Sequence, residues 1–411
     1  MAEYFLGLDF GTSGARACVL DEAEEIVFES RLAYADAASP QNWREALFDL
    51  LAGLPAEIRA GLSALAIDGT SGTLLAADAR FEPLGPALLY NDARAADEAG
   101  TIAHPRYGPT SGLAKRLWLA KHYPDAAFCF HQSDWLAALF IGQGGLTDYH
   151  NALKSGFDVE RLAWPDWASR LPGAHWQQKV LTPGEIIGPP TPELARRFGL
   201  NPACRVRAGT TDSIAAFMAA GLTEPGDAVT SLGTTLVLKL LSKTRVEDPA
   251  SGVYSHRYGS LWLAGGASNS GGGVLKQFFS DADLERLSAQ IDPAQPSGLD
   301  YYPLPRPGER FPVNDPGLMP RMAPRPQSDI EFLHGLLEGM ARIEALGYRK
   351  LAELGATPLK RVVTAGGGAQ NAAWRRIRQR ALNVSVEAAR HADAACGTAR
   401  LARFGAEFMS G

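Results

Sequence analysis

Two short apolar hairpins, far apart in the chain, constrain its fold more than any other feature. Tyr4 to Asp9 and Ala15 to Leu20 are apolar runs joined by Gly11-Thr12-Ser13-Gly14, the pattern of two antiparallel strands with glycines at turn positions. A third run, Ile26 to Ser30, extends the meander. Asp227 to Leu232 and Thr235 to Leu241 repeat the plan around Gly233-Thr234, so that DAVTSLGTTLVLKLL echoes FLGLDFGTSGARACVL. One hairpin used twice points to a duplicated core. The chain has 411 residues, 46% of them hydrophobic, which exceeds one comfortable core and suits two domains of roughly 200 residues each. GLTEPGDA follows a helical stretch from Thr210 to Ala220 and sets the boundary near Gly221 or Leu222, giving expected domains 1–222 and 223–411.

Other segments place strands and helices around these hairpins. Leu65 to Asp68 is a strand running into GTSGT, and Ala114 to His122 is an amphipathic stretch bearing Trp118. Ser328 and Glu331 form a capping box ahead of apolar residues at helical spacing, from Phe332 to Ile343, with Gly355 as the stop. Asp292 to Pro326 is rich in proline and glycine and reads as an ordered, extended crossing loop. Arg361 to Ala365, Gly366-Gly367-Gly368 and the run from Asn371 make a final strand, turn and helix.

Composition excludes several function classes. A net charge of −5 and the absence of a Lys/Arg run leave no footprint for nucleic acid. Four cysteines lie far apart with no C-x-x-C pair, as expected of free thiols in a reducing cytoplasm. The start, MAEYFLGLDF, has no basic stretch followed by a long apolar run, so neither export nor a membrane is expected. The eight histidines show no H-E-x-x-H or paired metal spacing, which leaves no zinc site. Trp118, Trp135, Trp164 and Trp167 read as packing residues, with sugar stacking as the alternative.

The turns themselves carry the candidate chemistry. Converging N–H groups of a glycine turn, with hydroxyls beside them, can hold a phosphate, and Gly11, Thr12 and Ser13 supply that set. No GK dipeptide and no GxGxxG occurs, so such binding would come from a hairpin and not from a P-loop. Asp9, just before the turn, is placed to hold Mg²⁺ through water, although a plain hairpin with a strand-end aspartate gives the same pattern. Gly233 and Thr234 offer a second phosphate turn, and Gly366-Gly367-Gly368 lets a flat ring approach the backbone beside Asn371. Asp212 opens the helix in TTDSIAAF, where capping and catalysis are both compatible with an aspartate.

Taken in order, DFGTSGARACVLD, NDAR, KRLWLAKHYPD, AGTTDSIAAF, GDAVTSLGTT, LPRPGERFPVNDPG and TAGGGAQNAAWRRI resemble the FGGY carbohydrate kinases, of the actin, Hsp70 and sugar-kinase superfamily. The resemblance extends from about Phe5 to about Ala399. It implies an α/β fold of two ribonuclease-H-like domains with a central interdomain cleft, ATP as phosphoryl donor, Mg²⁺ as cofactor and a sugar as acceptor. By the same resemblance Asp212 is the catalytic base and Asp9 the magnesium-organising aspartate. Thr12 and Ser13 match the first phosphate turn, and Gly233 and Thr234 the second. Gly272, Gly367, Gly368 and Asn371 fall where the family holds the nucleotide. Xylulose kinases usually carry Gln-Met-His-Gly where this chain has Gly69-Thr70-Ser71-Gly72. That departure, and a shorter chain, look like the compact plant and cyanobacterial D-ribulose kinase group. Ser71, Asn91, Asp92 and Arg94 are then expected to line the sugar pocket with Asp9 and Asp212. The expected reaction is D-ribulose to D-ribulose 5-phosphate, in a cytoplasmic monomer or homodimer. D-Xylulose kinase activity and a nucleotide-switched sugar-binding protein without turnover are the alternatives.

Overall fold

The computed structural model describes residues 2–102, 104 and 107–409. Two units emerge, Met1–Gly221 with Asp393–Phe408, and Leu222–Ala392 with Met409–Gly411. The chain's last long helix, Ala394–Phe404, therefore counts with the first unit, whereas the sequence reading assigned it to the second.

In the first unit, Tyr4–Phe10, Gly14–Leu20 and Ile26–Ala33 form an antiparallel meander. Leu62–Gly69 adds in parallel to Tyr4–Phe10, and Arg205–Arg207 and Ile186–Gly188 complete the sheet. The apolar positions of these strands bury against the helix Pro40–Gly53 and the helix Gln132–Ile141, where Trp43 and Trp135 meet edge to face at 6.2 Å. Helix Ala394–Phe404 lies on the opposite side of the same strands at backbone contact distance. A Cβ on Gly7 would stand 2.0 Å from Ala395 O, and one on Gly397 would stand 1.8 Å from Ala215 O. Only glycine permits such approach.

The second unit repeats the plan. Asp227–Leu232, Leu236–Ser242, Leu261–Ser268 and Tyr254–Tyr258 are antiparallel, and Arg361–Ala365 and Ser385–Ala388 add in parallel. Both sheets thus join antiparallel strands, beginning with a hairpin, to parallel strands, the ribonuclease-H-like α/β arrangement expected from the duplicated hairpin. The helix Asp329–Glu353 packs its apolar face on this sheet, with Ser328 Oγ accepting from Glu331 N at 3.3 Å as its cap. Beneath it, Arg378 donates to both Glu344 oxygens at 2.6 and 2.8 Å and to Thr364 Oγ1 at 2.7 Å. Thr230 Oγ1 completes the network through Glu344 and Tyr348. The segment 292–326 carries no helix or strand and is ordered by bonds such as the backbone pair of Tyr302 and Arg321.

One expected element divides. Thr210–Thr211 is a strand that pairs with Asp68 and Gly69, and the helix begins only at Asp212. Two β-branched threonines beside a parallel strand favour extension over helix.

Candidate active site

The first unit brings three acidic strand ends together. Asp9 pairs in register with Asp68, and Asp68 pairs in turn with Thr210, two residues before Asp212. Parallel strands end on the same edge, so the carboxyls of Asp9, Asp68 and Asp212 gather there and feel one another's charge. Burial pushes Asp9 from its ordinary 3.8 up to about 6; the Asp68 carboxyl offsets part of that push, while Asp393 and Asp212 add to it. Asp68 is fully buried, and burial together with the Asp9 charge holds it well above the carboxylate range. Thr398 Oγ1 donates to Asp68 Oδ2, whereas Asp68 Oδ1 has no hydrogen-bond partner. Asp68 was absent from the sequence-based site, since one acid ending an apolar strand carries no signal until pairing sets it beside Asp9.

Asp212 is the first residue of its helix, with Thr211 in the cap position, and its Oδ1 accepts from Ser213 N at 2.6 Å. The preceding Thr210 is held by His150, whose Nδ1 lies 2.7 Å from Thr210 Oγ1 in a fully buried contact. Gly11 N bonds Gly14 O at 3.0 Å, closing the first turn and leaving Thr12 and Ser13 exposed at its tip.

The segment with Ser71 is fixed by its neighbours. Gln132 Oε1 accepts from Thr70 N and Thr70 Oγ1, both at 2.9 Å, and leaves Ser71 half-buried. Lys115, fully buried, donates from Nζ to Gly72 O at 2.9 Å and Leu89 O at 2.6 Å, tying this loop to the one that carries Asn91, Asp92 and Arg94. Burial lowers Lys115 to about 8, with Asp92 acting in the opposite sense. Burial raises Asp92, but its bonds from Arg94 outweigh that and leave its carboxyl below the ordinary value. Asn91 and Arg94 are exposed, and the Arg94 guanidinium lies 5.4 Å from the Trp118 ring centre.

The second unit collects the remaining candidates around its own hairpin. Gly272 N donates to Gly233 O at 2.9 Å and Gly273 N to Thr234 O at 3.0 Å, so the start of Gly272–Leu275 backs the turn. Gly368 abuts Leu232, bringing Gly367 and Gly368 beside Gly233. Glycines clustered without side chains leave the backbone open to close approach by a phosphate or a flat ring. Asn371 is engaged already: its Oδ1 caps Trp374 N at 2.9 Å and its Nδ2 donates to Ser288 Oγ at 2.8 Å.

The oxygen-only donors Asp9 and Asp68, one with an unpartnered buried oxygen, fit a hard cation such as Mg²⁺. No group of three or more His, Cys, Asp and Glu converges into a cage among the described residues. An ion here would take its other ligands from water and phosphate. None of the described helices is long and apolar enough to cross a membrane.

Comparison with known proteins adds a family to this geometry. The N-terminal domain model of the FGGY family of carbohydrate kinases matches residues 4–219, and the C-terminal domain model matches residues 228–406. A xylulose kinase of Escherichia coli (strain K12) is 27% identical, over 91% of this chain and 84% of that protein. A gluconokinase of Bacillus subtilis (strain 168) is 22% identical, over 92% and 82%. Among solved structures, one described as a xyloylose kinase from Brucella ovis superposes with a TM-score of 0.86 at 25% identity, covering 98% of this chain and 91% of its own.

Proposed function

We propose that this chain, which belongs to the FGGY family of carbohydrate kinases, transfers the γ-phosphoryl group of ATP to a ketopentose, with D-ribulose preferred over D-xylulose. Membership makes it a sugar phosphotransferase. The observation that carries the phosphoryl-transfer reading is the gathering of Asp9, Asp68 and Asp212 on one edge of the first sheet, beside a glycine turn and a lysine-braced polar loop. The xylulose kinases among the relatives support a pentulose acceptor.

Asp212 is assigned the general base. A loose phosphoryl-transfer transition state asks little early activation of the hydroxyl, so the carboxylate orients it and takes its proton late. Asp9 would hold Mg²⁺ through water, and the ion would supply charge neutralisation on the phosphates. Thr12 and Ser13, at the tip of the turn that Gly11 closes, contact phosphate in the first unit. Gly233, Thr234, Gly272, Gly367 and Gly368 hold the nucleotide in the second, and Asn371 secures that site by capping the helix Ala372–Leu382. Ser71, Asn91, Asp92 and Arg94 hydrogen-bond the sugar, with Arg94 already oriented by Asp92.

The preference for D-ribulose rests on Ser71, which stands where a histidine serves xylulose kinases. Polar pockets separate epimers by one or two hydrogen bonds, because the wrong epimer leaves a buried donor unpaired. The test is kcat/KM for ADP release across D-ribulose, D-xylulose, L-ribulose, ribitol and glycerol. A D-ribulose value at least about tenfold above that for D-xylulose is expected, corresponding to roughly 1.4 kcal/mol. Dominant turnover of D-xylulose would overturn the preference, and silence on every sugar would favour a binding protein.

A further inference from the structure

Glu309 is a buried carboxylate of the second unit, 2% exposed, on which four hydrogen-bond donors converge. It lies in LPRPGERFPVNDPG, Leu304 to Gly317, inside the segment 292–326. Its Oε1 accepts from Asn269 N at 2.7 Å and from Arg310 N at 2.8 Å. Its Oε2 accepts from Ser268 Oγ at 2.6 Å and from Tyr302 OH at 3.2 Å. Two hydroxyls and two backbone N–H groups thus meet one ionisable acceptor. An ionised carboxylate accepts at both oxygens and donates at neither, so it can match all four donors where an amide cannot. Bonds to an ionised acceptor are also the stronger kind.

These bonds hold a run of backbone that ends at the second phosphate turn. Ser268 closes the strand Leu261–Ser268 in register with Leu236, and its Oγ accepts from Ser270 N at 3.0 Å. Asn269 Nδ2 donates to Gly308 O at 2.9 Å, a further tie between the same two segments. Ser270 O accepts from Leu236 N at 2.7 Å, and Gly272 N and Gly273 N then donate to Gly233 O and Thr234 O. The run 268–273 therefore joins Glu309 at one end to the turn carbonyls at the other. Three of its residues are glycines, which have the most conformational freedom to lose, so its order depends on an anchor. Glu309 is itself well fixed. Its N donates to Asp315 O at 2.8 Å, and the buried Phe311 ring beyond it packs against Gly266 and Gly347.

We propose that Glu309 is a positioning residue for the nucleotide, fixing the backbone on which Gly233, Thr234 and Gly272 meet the phosphates. This rests on the assignment of those three residues to the nucleotide site. The Glu309 carboxylate is negative, buried and fully bonded, so it acts through Ser268 and Asn269 and not as a phosphate ligand. The LPRPGERFPVNDPG segment thereby gains a task at the phosphates.

The affinity of the full chain for Mg-ADP, measured by titration calorimetry without sugar, tests this. The wild type is expected to bind, and Glu309→Gln to bind at least about tenfold more weakly, because an amide nitrogen in place of an acceptor leaves two of the four donors unmatched. Ser268→Ala removes one of those donors and the acceptor of Ser270 N, and should weaken binding in the same direction; it carries the test should Glu309→Gln fail to fold. The double variant should lose less than the product of the two single losses, since both act through one contact. In steady state the KM for ATP should rise while the KM for the sugar holds. Glu338 supplies the control for general loosening: it is 8% exposed and accepts from Ser297 N at 2.9 Å, near the start of the same segment. Glu338→Gln should lower the melting temperature and leave the Mg-ADP Kd unchanged. Equal Kd values for wild type and Glu309→Gln, or an equal loss in Glu338→Gln, would overturn the proposal. A wild type that binds no Mg-ADP would remove the nucleotide assignment and the proposal with it. Binding that responds to Glu309 without turnover of any sugar would sink the kinase reading and leave the proposal standing.

Discussion

Asp9 sits in an environment that opposes its own charge, and this makes it the most informative single residue. Its carboxyl is held near 6 in the folded chain against 3.8 in the unfolded one, mainly by burial. A raised acid pKa favours folding while the group is protonated, so the contribution is fully present below about pH 4 and is lost as pH rises through about 6. Asp9→Asn should therefore be more stable than the wild type above pH 6, by roughly 3 kcal/mol, with the difference vanishing below pH 4. Melting curves across that range check the sign. The same variant should lose sugar-dependent ADP release, since a neutral amide organises Mg²⁺ poorly. Equal stability at pH 8 would mean that the Asp9 charge is satisfied in the folded chain.

At the scale of elements, close approach and buried pairing set the stability of each unit. Gly7→Ala should destabilise the first unit by about 3 kcal/mol, because its Cβ meets helix backbone on which Thr398 is presented to Asp68. Denaturant unfolding reads that loss. In the second unit, Glu344→Ala leaves Arg378 buried and unpaired and should cost about 3–5 kcal/mol, whereas replacing both partners by apolar residues should cost much less. A double-mutant cycle distinguishes these outcomes. The strands Asp227–Leu232 and Arg361–Ala365 were legible in the sequence to the residue, since short apolar runs with flanking glycines leave little freedom, while the return strand expected over Thr235 to Leu241 runs one residue later, Leu236–Ser242. Thr210–Thr211 was read as helix because its extended state comes from pairing with Leu62–Gly69, a contact far away in sequence. Asp68 was invisible beside Asp9 for a related reason: register and burial, not local pattern, make it unusual.

For the whole molecule, the duplicated hairpin and the motif order carried the fold class and the family, both of which the two matching sheets and the family models bear out. Specificity was less legible, because it depends on where a few hydroxyls sit inside a polar loop. The central claim is that this chain is a ketopentose kinase whose proton acceptor is Asp212. Its most direct test is ketopentose-dependent ADP release with Mg-ATP by the wild type and Asp212→Asn side by side, with folding of both verified by melting. The account predicts turnover in the wild type and a loss in kcat of about a thousandfold in Asp212→Asn, the scale of a general base. Turnover in Asp212→Asn equal to that of the wild type would contradict it.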